Sequence, residues 1–193
     1  MVKELHNIHD EFSISHIKSV NEEAVVEQFL NVLGIGDAKI EQPMPIDPPD
    51  VILVHDNRRI GIEVVGLIDE TVRRLNAQAR SKEIKLNSTF SDASTCYADW
   101  TALTLRSKLC ELLQVKEKKI EQGRKSKTAV TGCDEFWLLV HADELMLVSQ
   151  TVGDFLIDWQ MGSAIFTRAY LVLSYEPGLP KGKHPMFSLM DAN

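Results

Sequence analysis

The sequence predicts an α/β domain with a mixed central β-sheet. Three observations carry that expectation. Val51-Ile52-Leu53-Val54 and Ile60-Gly61-Ile62-Glu63-Val64-Val65 are β-type runs separated by a short polar turn, so they form a hairpin. Phe136-Trp137-Leu138-Leu139-Val140 is apolar throughout, as expected of a central strand covered on both faces. Around these runs, apolar residues recur at helical spacing. The 193 residues fit one domain, and a hydrophobic content of 44% supplies a sizeable core. Residues 1–18 read as an N-terminal extension, 19–175 as the core, and 176–193 as a C-terminal strand and tail.

Taken in order, residues 1–20 have no strong period, and His6, His9 and His16 lack ligand spacing. Ser19 to Gly34 reads as a helix. Asn21 suits the N-cap, and Glu22 and Glu23 occupy the first turn, where the helix dipole favours negative charge. Val26, Phe29, Leu30 and Leu33 form its buried stripe, and Gly34 and Gly36 stop it. Asp37 to Pro49 is a turn-rich connector holding Pro43, Pro45, Pro48 and Pro49. Asp56-Asn57-Arg58-Arg59 supplies the hairpin turn. In the second strand Ile60, Ile62 and Val64 face one way, and Gly61, Glu63 and Val65 the other. Gly61 is expected to keep the space beside Glu63 open.

Asp69 to Leu86 is expected to be helical and Asn87 to Thr95 a loop. Asp99 suits the cap of a long helix running to about Gly123, with Leu105, Leu109, Leu112, Leu113 and Ile120 as its apolar stripe. Lys108, Lys116 and Lys119 lie near the edge of that stripe. Lys116 and Lys119 are three apart and share a face. A basic loop from Gly123 to Gly132 leads into the 136–140 strand, then a short helix from about Thr151 to Trp159 and a strand from Ala169 to Tyr175. A Pro/Gly-rich segment precedes a last short strand near Met186 to Met190.

No apolar run approaches the ~20 residues of a membrane-spanning helix, and the N-terminus lacks an apolar signal core. Cys96, Cys110 and Cys133 are odd in number and widely spaced, suggesting neither a disulfide framework nor a zinc site. The expected setting is cytoplasmic, with no membrane partner. The net charge of −7 taken alone argues against a nucleic-acid partner. Its distribution argues otherwise. Thr71 to Lys127 holds 13 Lys/Arg against 6 Asp/Glu, leaving 8 basic and 22 acidic residues elsewhere. That asymmetry fits either a basic groove on an acidic body or long solvated helices coated with lysine and arginine.

The least comfortable residue is Glu63, a carboxylate inside an apolar strand. Ionised carboxylates are rarely buried unless paired or holding a metal. Asp50 opens the preceding strand, so the two acids can converge on one divalent cation. For Asp50 the plain alternative is a turn residue at strand entry. For Glu63 it is an edge-strand acid paired with Arg58 or Arg59. For Lys116 and Lys119 it is a solvated helix face, and for Glu22 and Glu23 ordinary first-turn acids. His55 and His141, at strand ends, are assigned no role.

Pro49-Asp50 followed by Glu63 on the next strand resembles the PD-(D/E)xK nuclease superfamily and its restriction-endonuclease-like fold. A preceding helix with Glu22/Glu23 and a following long helix and strand match that fold's core order over roughly residues 19–175. The resemblance implies Mg²⁺ or Mn²⁺ held by Asp50, Glu63 and the backbone carbonyl of Val64, with Glu22 or Glu23 adding an outer carboxylate. It implies phosphodiester hydrolysis, in DNA in preference to RNA, and is compatible with a homodimer. The chain departs from the pattern where the family lysine should stand, two residues after the acid: that position is Val65. Either the lysine is supplied by the long helix, with Lys116 and Lys119 as candidates and Lys108 two turns earlier, or the fold persists without catalysis. A nuclease, a non-catalytic module binding nucleic acid or protein, and an acidic immunity or regulatory partner are the functional classes these residues allow.

Overall fold

The computed structural model describes residues 22–41, 48–68, 74, 99–126, 132–144, 147–174, 176–180 and 183–190. Helix α1 covers 22–33. It ends as its sequence requires: Gly34 takes a positive φ of 72°, and the Ile35 N–H reaches back to the Leu30 carbonyl at 3.0 Å. Six strands follow: β1 (Lys39–Glu41), β2 (Val51–His55), β3 (Arg58–Leu67), β4 (Glu135–Ala142), β5 (Arg168–Leu173) and β6 (Met186–Ser188). Helix α2 (Ala102–Ser126) joins β3 to β4, and α3 (Ser149–Leu156) joins β4 to β5.

The strands lie in one sheet in chain order. β2 runs antiparallel to both β1 and β3, β3, β4 and β5 run parallel, and β6 returns antiparallel on the far edge. The fold is therefore α/β with a mixed six-stranded sheet. The β2–β3 hairpin closes on two residues, Asp56 and Asn57, with φ of 50° and 61°. Such left-handed pairs match the twist of the flanking strands, and Asp and Asn tolerate them better than most residues.

Strand alternation divides the core. Ile60, Ile62 and Val64 of β3 join Trp137, Leu139, Tyr170 and Val172 under Val26, Phe29 and Leu30 of α1. Phe29, Trp137 and Tyr170 pack there with ring centroids 5.0–6.2 Å apart. On the other face, Leu67, Phe136, Leu138, Val140, Ala169 and Leu171 pack against Leu105, Leu109, Leu113 and Ile120 of α2 and Val152 of α3. Glu63 belongs to this second face by its place in the alternation.

Several expectations shift. The connector before β2 contains β1, whose three residues carry too little pattern to be read as a strand. It exists because β2 offers it a ladder. Helix α2 starts at Ala102 and is capped not by Asp99 but by Thr101, whose Oγ1 accepts the Thr104 N–H at 3.2 Å while Thr104 Oγ1 accepts the Thr101 N–H at 2.8 Å. α3 begins earlier than expected, at Ser149, where the Glu176 carboxylate takes both the backbone N–H and the hydroxyl at 2.7 and 2.8 Å. Of the expected helix at 69–86 only residue 74 is described, and it is helical. Helix α2 runs on to Ser126, so the start of the expected basic loop at Gly123 is helical; residues 127–131 of that loop, the 87–95 loop and the N-terminal histidines lie outside the described residues.

Gly61 does not hold open space beside Glu63. A Cβ there would stand 2.9 Å from Phe136 Cε1 and 3.1 Å from Pro49 Cγ. The glycine admits an aromatic ring and a proline. Gly61→Ala should cost about 2 kcal/mol by overpacking, measured by urea unfolding.

Candidate active site

Asp50 immediately precedes β2, and Glu63 lies in the middle of β3. Val51 pairs with Ile62, so continuing that register sets position 50 opposite Glu63 and position 49 opposite Val64. Here the ladder stops. The Val64 N–H donates to Asp50 Oδ2 at 2.8 Å instead of to a main-chain carbonyl. Position 49 is proline, which has no N–H to return a bond to the Val64 carbonyl. Strand entry thus fixes Asp50 and leaves a main-chain oxygen beside it without that ladder donor.

Lys116 and Lys119 of α2 reach down to this point. Lys116 Nζ donates to Asp50 Oδ2 at 2.8 Å and to Glu63 Oε2 at 2.5 Å. Lys119 Nζ donates to Asp50 Oδ1 at 3.1 Å and Glu63 Oε2 at 3.3 Å. The Glu63 side chain is 0% exposed, Asp50 2%, Lys116 11% and Lys119 31%. Lys116 is thus mostly buried, whereas Lys119 is more open to solvent. The rotation of α2 that aims them is fixed next door. Glu117 Oε1 accepts bonds from the Ser163 hydroxyl and the Ala164 N–H, tying the helix to the loop before β5.

Burial raises the pKa of Asp50, but Lys116, Lys119 and the Val64 N–H together outweigh it and hold the carboxyl below its ordinary value. Burial dominates at Glu63. Lys116 opposes it, the Asp50 charge reinforces it, and the pKa is pushed up to about 7.

The donor set suits a hard divalent cation. Two carboxylates and a nearby carbonyl are all oxygen, the ligand type of Mg²⁺ and Mn²⁺. Glu63 Oε1 is buried with no hydrogen-bond partner among the described residues. An orphaned acceptor of this kind is costly, and a cation would satisfy it. Among the described residues no three His, Cys, Asp or Glu side chains converge. An ion held here would complete its shell with the carbonyl and water, as Mg²⁺ commonly does.

Of the residues singled out by sequence, Asp50, Glu63, Lys116 and Lys119 come together, with Val64 adjoining. Glu23 forms no triad with the two acids, and its helix packs on the opposite face of the sheet. Lys108 pairs with Glu111 at 3.0 Å. Glu63 is not a solvent-facing partner of the hairpin arginines: Arg58 pairs with Glu135 at 3.0 Å and Arg59 with Glu41 at 3.3 Å. His55 sits near Asp37 and Asp56. His141 is half-buried on β4, where burial lowers its pKa. Sequence reasoning missed the Glu117–Ser163 tie, because nothing in a Lys-Glu-Lys-Lys run marks which charge turns inward. Comparison with protein-family models, with curated proteins and with solved structures found no match.

Two outcomes follow from this geometry. Lys116→Ala strips the buried carboxylates of their closest cation and should destabilise the fold by about 3 kcal/mol. Lys119→Ala, at a more exposed position, should cost less. Urea unfolding of both variants compares them. The second concerns pH with metal chelated. Glu63 binds its proton more tightly folded than unfolded, so its contribution is full below its ordinary pKa of 4.5 and is lost as pH rises through about 7. Glu63→Gln should remove that slope, making the variant gain on the parent by on the order of 3 kcal/mol across the window. Unfolding free energies at intervals from acid to pH 8 report it.

Proposed function

We propose that the chain is a metal-dependent nuclease of the PD-(D/E)xK type, with a restriction-endonuclease-like fold, hydrolysing phosphodiester bonds in DNA. The observation that carries this reading is the Lys116 ammonium seated between Asp50 and Glu63. A lysine from the helix stands at the acids where the strand offers only Val65. The order of elements supports the same reading: a helix, an antiparallel hairpin bearing both acids, the lysine-bearing helix, then a parallel strand.

The residues divide the work. Asp50 and Glu63, with the Val64 carbonyl, would hold the cation. Mg²⁺ bound there would supply a water of lowered pKa and a Lewis acid for the phosphoryl oxygens. Lys116 and Lys119 carry six N–H donors between them and can turn some from the acids to the phosphate oxygens of a substrate. With both acids ionised, two carboxylates and two ammonium groups sum to zero. A divalent ion would make the cluster net positive, suited to a phosphodiester and to the added charge of its transition state. The burial of Lys116 strengthens these interactions relative to water.

A second reading has one observation in its favour. The two lysines already neutralise the two acids, so the cluster can stand as a buried ion-pair network in a non-catalytic, nucleic-acid-binding module. The readings separate in one experiment. Purified protein should nick or degrade DNA with Mg²⁺ or Mn²⁺, and Glu63→Gln should abolish this while the variant stays folded. Lys116→Ala should lower the rate on the order of a hundredfold or more. Cleavage that survives Glu63→Gln would remove this site from the chemistry. Salt-sensitive DNA binding without any metal-dependent cleavage would establish the second reading.

A further inference from the structure

The last turns of α2 carry a cation that the site does not use. Arg124 is exposed, and its guanidinium carbon lies 5.3 Å from the centroid of the Phe136 ring. Among the described residues it pairs with no carboxylate. Several other cations among the described residues have partners. Arg58 and Arg59 pair with glutamates, Lys108 pairs within its helix, and Arg106 donates to the Phe155 and Ile157 carbonyls at 2.7 and 3.3 Å.

The ring beneath Arg124 is itself fixed by the site strand. Phe136 stands opposite Gly61 in the β3–β4 register, and its edge fills the volume a Cβ at Gly61 would take. Gly61 and Glu63 are two apart on β3 and share the α2 face. The chain Glu63, Gly61, Phe136, Arg124 therefore runs over one face of the sheet. Along α2, Arg124 is eight residues past Lys116, about 12 Å at the rise of a helix. That is the rise of three to four nucleotides along a strand of duplex DNA.

Stacking on a ring holds a guanidinium through its face and leaves the N–H edge free. A planar edge with several donors, held in place and without a carboxylate, suits the bidentate geometry of a phosphate. We infer that Arg124, held on Phe136, is an anchor for a backbone phosphate of DNA a few nucleotides from the bond at Asp50 and Glu63. The inference rests on the nucleic-acid part of the proposed function and does not require hydrolysis. Arg124 is a positioning residue: it sets where the strand lies, and Lys116 and Lys119 meet the reacting group.

Equilibrium binding of a short fluorescent DNA duplex, in chelator so that no cleavage occurs, tests this across a salt series. Arg124→Gln should weaken binding about tenfold at moderate salt, as loss of a hydrogen bond to a charged group does. It should also reduce the slope of log affinity against log salt by about one. Arg124→Lys should restore the slope but not the full affinity, because the charge returns without the planar fork. Lys125→Gln, at a neighbouring exposed cation with no ring beneath it among the described residues, should weaken binding less. Parental affinity and slope in Arg124→Gln would overturn the inference. So would an equal loss in Lys125→Gln, which would mean generic surface charge, or a parent chain that does not bind duplex at all. If Arg124→Gln behaves as expected but the parent never cleaves with Mg²⁺, hydrolysis fails and the anchor stands. If cleavage depends on Glu63 but binding is indifferent to Arg124, the anchor fails and hydrolysis stands.

Discussion

The ammonium of Lys116, seated between Asp50 and Glu63, is the constraint on which the rest of this molecule turns. Two carboxylates within one small volume of an apolar layer repel each other and have lost their water. Without a cation at that point, burial and mutual repulsion would act on both carboxyl groups with nothing to offset them. The lysine comes from the element that also supplies the apolar cover, so packing and charge compensation are one event. Leu109, Leu113 and Ile120 bring the helix down on the sheet, and the same descent delivers Lys116 and Lys119.

This coupling explains why the two carboxyl groups behave differently. Asp50 sits at a strand end and has a backbone N–H as well as both ammonium groups. Glu63 lies mid-strand, and one of its oxygens has no hydrogen-bond partner among the described residues. One acid is satisfied by its surroundings, and the other is held in a demanding environment. Groups pushed apart in this way cluster at functional sites, although structural ion-pair networks can do the same. The division of β3 into an α1 face and an α2 face confines the tension to one layer, away from the aromatic packing of Phe29, Trp137 and Tyr170.

Much of the arrangement was legible in the sequence because it is written in short-range patterns. The alternation in Ile60–Val65 places Glu63 against the apolar rule, and the three-residue spacing of Lys116 and Lys119 puts them on one side of a helix. The unbroken apolar run at 136–140 marks a central strand. Most of what was not legible depends on partners elsewhere in the chain. β1 is a strand only because β2 lies beside it. Asp99 looked like a cap, but two threonines satisfy each other better. Gly61 looked like a gap, and its neighbour is a ring from a strand far along the chain. Glu117 gave no local sign that it faces Ser163. Apart from the threonine cap, which is local, each of these is set by a tertiary neighbour outside any short window of sequence.

Proline at position 49 has a consequence out of proportion to its chemistry. It bears no charge, donates nothing and would be passed over in any survey of reactive side chains. Yet any other residue there would offer an amide hydrogen to the opposite strand, and the sheet could zip one step further. The Val64 oxygen would then be claimed by the ladder. The corner that holds Asp50 and Glu63 is thus shaped as much by a missing hydrogen as by the four charged groups around it.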